Sequence, residues 1–526
     1  MSADLANTAT LCAFPVNNGP KGTDHLAMDS TNHSTPPQPT QPEPTQSEPT
    51  PYDTVTYPSI VHPPTHPERL AVAARLAGLD PVPMNAARVL EIGGGTCLGL
   101  IAFAATYPGS QCAGFDLAPS AITRGRQLAG DQCPNLSLDV IDILEARSHY
   151  AAQSFDYVIA HGVYAWVPEP VRQALLDLIA HVLSPRGVAF VSYNAMPGGH
   201  VRLILREMLL HALAGIDDPQ DRISAAFAAL HEYGTPRADD DPLVAGIRMQ
   251  AANMADRPAS VLFHDELGGT YTPHKLTDVV GAAAQVGLRF LTDGGRNRGF
   301  DGFLNRDSGA VADAEAEVVQ LAQMRDYLEF CWFRATLLVR AEVRPERQLD
   351  PALLDGLWVS AQLAVLESGE FKTGDDCFTV ADAAMTEAME ELANAWPARR
   401  PVSDIARTDA QRQILLGLYE KWLVRLHLEP EPFALVPGER PETAGWIRYL
   451  LREGEDEIVT LAYRNMRIEQ ADLRELLVAA DGTRSVADLV AFKHWGGSDG
   501  GPSGGIAADQ VEAALREAGK RALLVR

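Results

Sequence analysis

The 526-residue chain has no run of 18 or more consecutive apolar residues, and a membrane-spanning helix takes about 20. Membrane insertion is therefore not expected. The opening Met1-Ser2-Ala3-Asp4-Leu5 has neither the basic flank nor the apolar stretch of a secretion signal, so cytoplasm is the expected compartment. Positive charge is scarce, with 44 Lys and Arg against 69 Asp and Glu and a formal net charge of −25. Such a field repels a phosphate backbone unless a local basic stripe overrides it. No stripe of that kind occurs, and no nucleic-acid partner is expected. The cysteines, Cys12, Cys97, Cys112, Cys133, Cys331 and Cys377, are scattered without a Cys-x-x-Cys pair or histidines at ligand spacing. A structural zinc site is thereby disfavoured, and reduced thiols fit a reducing compartment. His264-Asp265-Glu266 concentrates polar groups, but consecutive residues rarely converge on one ion, so a structural hydrogen-bonding role is expected and no metal.

What is present is length enough for about three domains. Residues 31–50 read TNHSTPPQPTQPEPTQSEPT, with almost nothing apolar to offset the entropy of ordering, so 1–51 is expected to be a disordered leader. Aromatics return at Tyr52 and Tyr57, placed to cover a ligand or to pin the segment to the domain. Thr65 or His66 then caps a helix that has Pro67 in its first turn. From Arg88 the pattern alternates apolar strands with helices: strands RVLEI, QCAGFD, Leu136–Val140, FDYVIA and VAFVSY, with helices from Leu98, from Pro119 and over Val171–Leu183 between them. That alternation predicts parallel strands joined by right-handed crossovers, a doubly wound α/β sheet binding its ligand beyond the carboxyl ends of the strands.

Three acids mark that edge. Glu91 and Asp116 stand at the ends of the first two strands and Asp142 just past the third. A carboxylate after the second strand suits a ribose diol, since it accepts from both hydroxyls. The glycine turn Gly93-Gly94-Gly95 departs from Gly-x-Gly-x-x-Gly, and Glu91 precedes it. An acid there repels a pyrophosphate but suits a cationic amino-acid group, which favours S-adenosylmethionine over a dinucleotide.

The pattern Glu-x-Gly-x-Gly followed by acids after strands two and three resembles class I (Rossmann-like) S-adenosylmethionine-dependent methyltransferases. Residues 155–168 (FDYVIAHGVYAWVP), 191–200 (VSYNAMPGGH) and 52–67 (YDTVTYPSIVHPPTHP), with Leu262–Leu267 and Asp481-Gly482-Thr483-Arg484, resemble the branch that carries a methyltransferase regulatory domain, which includes rickettsial protein-lysine methyltransferases. The resemblance implies that Glu91 and the Gly93–Gly95 backbone face the methionine end, Asp116 the ribose and Asp142 the adenine amine. Tyr57, Leu117, Ile143, His161 and Gly162 complete the implied cofactor set. His161, Tyr164, Tyr193 and Asn194 follow the fourth and fifth strands, where an acceptor meets the methyl group, and are the expected catalytic residues. Cys97-Leu98-Gly99 depart from the family's glycine loop.

The expected layout is a methyltransferase domain at 52–215, a regulatory middle domain at 216–300 and a largely helical C-terminal region at 301–526. Residues 201–262 and 315–340 read as helical, the latter with Tyr327, Phe330, Trp332 and Phe333 as core, and 371–436 reads as a small winged-helix-like unit. Gly496–Gly505 reads as a flexible loop. The leading expectation is an N-methyltransferase acting on protein lysines, with a homodimer implied by the resemblance. Methylation of a small metabolite and a non-catalytic regulatory protein are the other readings that stay open.

Overall fold

Four of the five expected strands are those of the structure and the fifth is longer: β1 (Arg88–Ile92), β2 (Gln111–Asp116), β3 (Leu136–Val140), β4 (Phe155–Ala160) and β5 (Leu183–Asn194). The computed structural model describes residues 54–55, 57–238, 240–295, 298–304, 314–374, 376–491 and 508–525. The expected leader at 1–51, Tyr52 and the loop at 496–505 lie outside them. All five strands run parallel. Two more, β6 (Leu288–Asp293) and β7 (Phe333–Arg340), extend the sheet to seven strands in the order β3-β2-β1-β4-β5-β7-β6, with β7 antiparallel to both neighbours. The order reverses between β1 and β4, so their carboxyl ends diverge there and leave a crevice.

Helices cover both faces. Helices α1 (Pro67–Leu76), α2 (Leu98–Thr106) and α3 (Pro119–Ala129) pack on one side, and α5 (Glu169–Val182) with Leu276–Gln285 on the other; the short α4 (Ile143–Ala146) follows β3. His66 caps α1 by accepting from the Glu68 amide, with Pro67 in the first turn as expected. Between β5 and β6 the chain forms Gly199–Ala212, Pro219–Gly234, Pro242–Ala255 and Ala259–Leu267, the helical stretch expected there.

The expected helix over 315–340 needs correcting. The helix stops at Leu328, the chain turns through Phe330 at φ +53°, and residues 333–340 are strand β7. The run FRATLLVR is apolar on both faces, which suits a buried strand better than an amphipathic helix, and its six inner residues are buried. Because the helix ends early, Tyr327, Phe330 and Trp332 stand exposed instead of entering the core. The sheet thus draws β6 from residues assigned to the middle unit and β7 from those assigned to the C-terminal region. Arg334 of β7 is fully buried and held by Asp293, Asp326 and Asp301 at 2.8–3.0 Å. His264-Asp265-Glu266 is likewise structural: Arg202 meets Glu266 at 2.6 Å and Asp265 at 3.1 Å.

The C-terminal region builds two further bodies. The first joins strands Trp358–Ser360, Arg400–Pro401 and Arg425–His427 to helices Ala383–Ala395 and Asp409–Glu420 around a core that also takes Val72 and Leu76 from α1. The second contains helix Gly445–Arg452 and the antiparallel pair Glu457–Val459 and Asn465–Arg467, followed by helices Ala471–Ala479, Val486–Val490 and Ala508–Lys520, which close a small core of their own around Leu476, Leu489 and Leu515. Trp446, Ile447, Ile458 and Tyr463 share one continuous cluster with Leu98, Ile101 and Phe103 of α2. Among the described residues, no helix is long and apolar enough to cross a membrane.

Candidate functional site

At the end of β1 the chain must leave the sheet without blocking the crevice, and glycine makes this possible. Gly93 has φ +63° and Gly95 φ +57°, both in the left-handed region that disfavours a side chain. A Cβ on Gly93 would lie 2.8 Å from Val163, whereas one on Gly95 would meet nothing within 4 Å, because Gly95 opens into a cleft. That cleft has a volume of about 640 Å³, within the usual range for a small-molecule site.

Asp116 holds this loop in place. Its two carboxylate oxygens accept from the Gly95 amide at 2.8 Å and from the Ala118 amide at 2.9 Å, tying the β1 turn to the end of β2. Glu91 lies on the cleft wall with Oε2 buried and unpartnered among the described residues. Burial pushes its carboxyl up to about 7 with help from Asp116, against hydrogen bonds from the Leu100 amide and the Cys97 thiol.

His161 follows β4 and also lines the cleft. Its Nδ1 lies 2.9 Å from Ser192 Oγ, which accepts from the Gly162 amide at 2.9 Å. Its Nε2 is buried and unpartnered among the described residues. Burial, then the neighbouring His62, holds the imidazole well below its usual value, so the ring is neutral near pH 7. The His62 ring lies 3.9 Å away, centroid to centroid. His62 belongs to the segment 57–65 that covers the cleft. That segment is anchored where His264 Nε2 meets the Val55 carbonyl at 2.6 Å, and the Tyr57 ring lies 5.8 Å from that of His264.

Of the residues singled out from sequence, Tyr57, Glu91, Gly93, Gly95, Asp116 and His161 line the cleft together. Gly162 stands behind His161 through Ser192. Leu117 lies half-exposed beside Asp116, Asp142 caps α4 by accepting from the Leu144 amide, and Ile143 packs against the core; none of the three is on the cleft wall. Tyr164, Tyr193 and Asn194 do not reach the cleft either. Side chains alternate along a strand, so Ser192 points to His161 and Tyr193 to the opposite face. There the Tyr193 hydroxyl meets Thr336 Oγ1 at 2.9 Å. Tyr164 packs at a tilt against Tyr193 and edge-on against His274, and the buried Asn194 accepts from the His274 amide through its own carbonyl.

Sequence reasoning missed Ser192, His62 and everything the C-terminal region supplies. The alternation on β5 points to the first, and the second stands inside the segment already quoted. Leu450, Glu455, Glu457 and Tyr463 complete the cleft with no local signal. Tyr463 has φ +57° and donates to or accepts from Thr65 Oγ1 at 3.1 Å. A Cβ on Gly99 would lie 2.2 Å from its hydroxyl. The unusual Cys97-Leu98-Gly99 turn therefore has a physical reason: Gly99 leaves space for a tyrosine from 364 positions further along the chain.

Comparison with known proteins places this architecture. Residues 89–187 match the family model of a methyltransferase domain and residues 258–340 that of a predicted methyltransferase regulatory domain. The uncharacterized protein RP028 of Rickettsia prowazekii is 32% identical over 213 residues, which are 39% of this chain and 84% of that protein. The chain belongs to the S-adenosylmethionine-dependent methyltransferases that carry a regulatory domain. A second R. prowazekii protein, RP789, is 25% identical over 289 residues, covering 54% of this methyltransferase and 52% of its own length. In fold, the methyltransferase is similar to PKMT2 from Rickettsia typhi, with a TM-score of 0.73 at 22% identity over 89% of this chain and all of that one. PKMT2 in complex with AdoHcy gives a TM-score of 0.71 at 21% identity.

Proposed function

We propose that this methyltransferase transfers its methyl group to a nitrogen acceptor, a lysine side chain of a protein, in the cleft between Glu91 and His161. The observation that carries the reading is His161: a neutral imidazole on the cleft wall whose Nε2 has no partner among the described residues. A hydroxyl oxygen accepts twice, so Ser192 Oγ can take both the Gly162 amide and Nδ1–H of His161, which leaves the Nε2 lone pair free for an ammonium proton.

The residues present fit the cofactor. The orphaned Glu91 Oε2 suits an ammonium group, the second lone pairs of Asp116 suit a ribose diol, and Gly95 leaves its side of the cleft clear. Asp142 is assigned to the adenine amine, and Leu117 and Ile143 to the cofactor beside it, on the family resemblance, although all three stand off the cleft wall. Bound S-adenosylmethionine supplies an electrophilic methyl on a sulfonium, which a neutral nucleophile displaces in line. The chain's task is then to deliver a deprotonated amine. Glu91, Glu455 and Glu457 around the cleft attract a cationic side chain, burial in the cleft lowers the affinity of its amine for the proton, and the Nε2 lone pair of His161 accepts a hydrogen bond from it and relays that proton. Tyr164, Tyr193 and Asn194 act as positioning residues that fix the end of β5 behind His161. We assign the cofactor unit to 52–215, the middle unit to 216–300 and the C-terminal region to 301–526, the last completing the cleft through Tyr463.

The test is labelled methyl donor given with the enzyme to whole lysate and to a protein-free fraction. Label is expected in protein and, after acid hydrolysis, in methylated lysine. Label confined to small molecules overturns the lysine acceptor and leaves the cofactor assignment standing.

A further inference from the structure

A second cavity lies where α1 meets the strand Arg425–His427, outside the cofactor cleft. It has a volume of about 50 Å³ and is lined by Glu68, Arg69, Arg399, Arg425, Trp396 and Tyr419 among others. Three of these six are arginines and one is an acid. That acid is fully engaged: Glu68 Oε1 accepts from Arg399 at 2.8 Å and from the Leu428 amide at 3.2 Å, and Oε2 faces His427 Nδ1 at 3.0 Å. Strand alternation brings Arg425 and His427 to the same face. His427 there finds Glu68, while the Arg425 guanidinium finds no carboxylate among the described residues.

Arg69 and Arg425 have no ion pair and no side-chain hydrogen bond among the described residues. What they have is aromatic surface: Arg69 stacks 4.1 Å over Trp422, and Arg425 lies 5.8 Å from the Trp396 ring centre. Arg464 lies 5.6 Å from the same Trp396 ring, and its guanidinium bonds to the neutral Gln362. Burial, then repulsion by Arg69, Arg464 and Arg399, pulls the Arg425 guanidinium well below its usual value. Glu68 favours the charged form of Arg69 but is already bonded to Arg399 and faces His427, and partly desolvated cations with so little counter-charge are unfavourable, the more unusual in a chain of net charge −25.

We propose that this cavity is a binding site for a small oxyanion of phosphate size, clamped by the guanidinium groups of Arg69 and Arg425. Guanidinium forks match tetrahedral and planar oxyanions bidentately, and the aromatic rings under Arg69 and Arg425 hold the forks in place. A volume of about 50 Å³ exceeds several-fold the roughly 10–15 Å³ a single water needs by the same water-sized measure, which suits an ion of this size. The site joins α1 of the cofactor unit to the C-terminal region, so an occupied cavity stabilises their contact. It also adjoins the cofactor cleft, since Tyr463 lines both.

The experiment is calorimetric titration of the full chain with inorganic phosphate against sodium chloride of matched ionic strength, with thermal unfolding in parallel. Wild type is expected to give saturable heat and a rising Tm. Arg69→Gln and Arg425→Gln should each weaken phosphate binding about tenfold or more. In the absence of phosphate, Arg425→Gln should melt no lower than wild type, because the substitution removes an uncompensated charge. No saturable heat in wild type overturns the proposal. So does phosphate binding that survives unchanged in both variants, or an Arg425→Gln protein that melts lower and responds to phosphate like wild type. If Arg425→Gln does not fold, wild type and Arg69→Gln decide the matter alone.

Discussion

Glu91→Gln separates what the folded chain tolerates from what the cofactor needs. The carboxyl is carried from an ordinary 4.5 to about 7, chiefly by burial. Because the folded value lies above the unfolded one, the contribution to stability is full below about pH 4.5, falls as the pH rises toward 7 and is constant above it. Near pH 8 the ionised side chain therefore costs at most about 3 kcal/mol at 1.36 kcal/mol per pH unit, a ceiling that solvent in the cleft lowers. Glutamine has nearly the same shape and never ionises. Without cofactor, Glu91→Gln is expected to be more stable than wild type at pH 8, by about 1–3 kcal/mol, and nearly equal to it at pH 5. Chemical denaturation at the two pH values measures this. Cofactor binding should move the other way. The ammonium of S-adenosylmethionine loses a charged partner worth about 1.5–3 kcal/mol, so the Kd rises by roughly 10- to 150-fold, and the increase in wild-type affinity between pH 6 and 8 disappears. A variant destabilised at pH 8, or one that binds cofactor as tightly as wild type with the same pH dependence, refutes the assignment of Glu91 as the ammonium's partner.

Asp116→Ala is expected to weaken cofactor binding by about 1–3 kcal/mol in a calorimetric titration. It should also lower the Tm, because the Gly95 and Ala118 amides lose their acceptor; unchanged affinity would remove the ribose assignment. Gly99→Ala adds a methyl that overlaps the Tyr463 hydroxyl at 2.2 Å. Although alanine favours a helix by about 1 kcal/mol over glycine, the variant should melt lower and bind cofactor less tightly, with Tyr463→Ala restoring part of the loss. Additive effects of the two substitutions would refute the contact.

The cofactor half of the fold was legible because its signals are local. RVLEI and FDYVIA are short apolar runs buried on both faces, each ending in a turn, and Glu91 and Asp116 stand at strand ends where topology alone brings them to one crevice. Side-chain direction was less legible. Tyr193 faces away from His161 because adjacent strand residues point to opposite faces, and Asn194, which shares the face of Ser192, is not on the cleft wall, so the side chain that reaches His161 is Ser192. Strand β7 was less legible because only a four-residue turn separates it from the helix ending at Leu328, and apolar residues on both faces of a short run blur the helical and strand periods.

Tyr463 marks the deeper limit. Nothing near it in the sequence distinguishes it, and its role follows from a pairing across the chain: a glycine at 99 that leaves a gap, a threonine at 65 that accepts a hydrogen bond, and a left-handed turn that aims the ring between them. The same ring borders the arginine cavity, so one side chain of the C-terminal region forms part of both walls. Its surroundings share a single apolar cluster with α2, and displacing it would open the cofactor cleft and uncover Leu98 and Ile101 together. The C-terminal region is therefore a structural component of the cleft proposed to hold the cofactor, and a substrate-selecting role for it must operate through surfaces other than the one packed against α2.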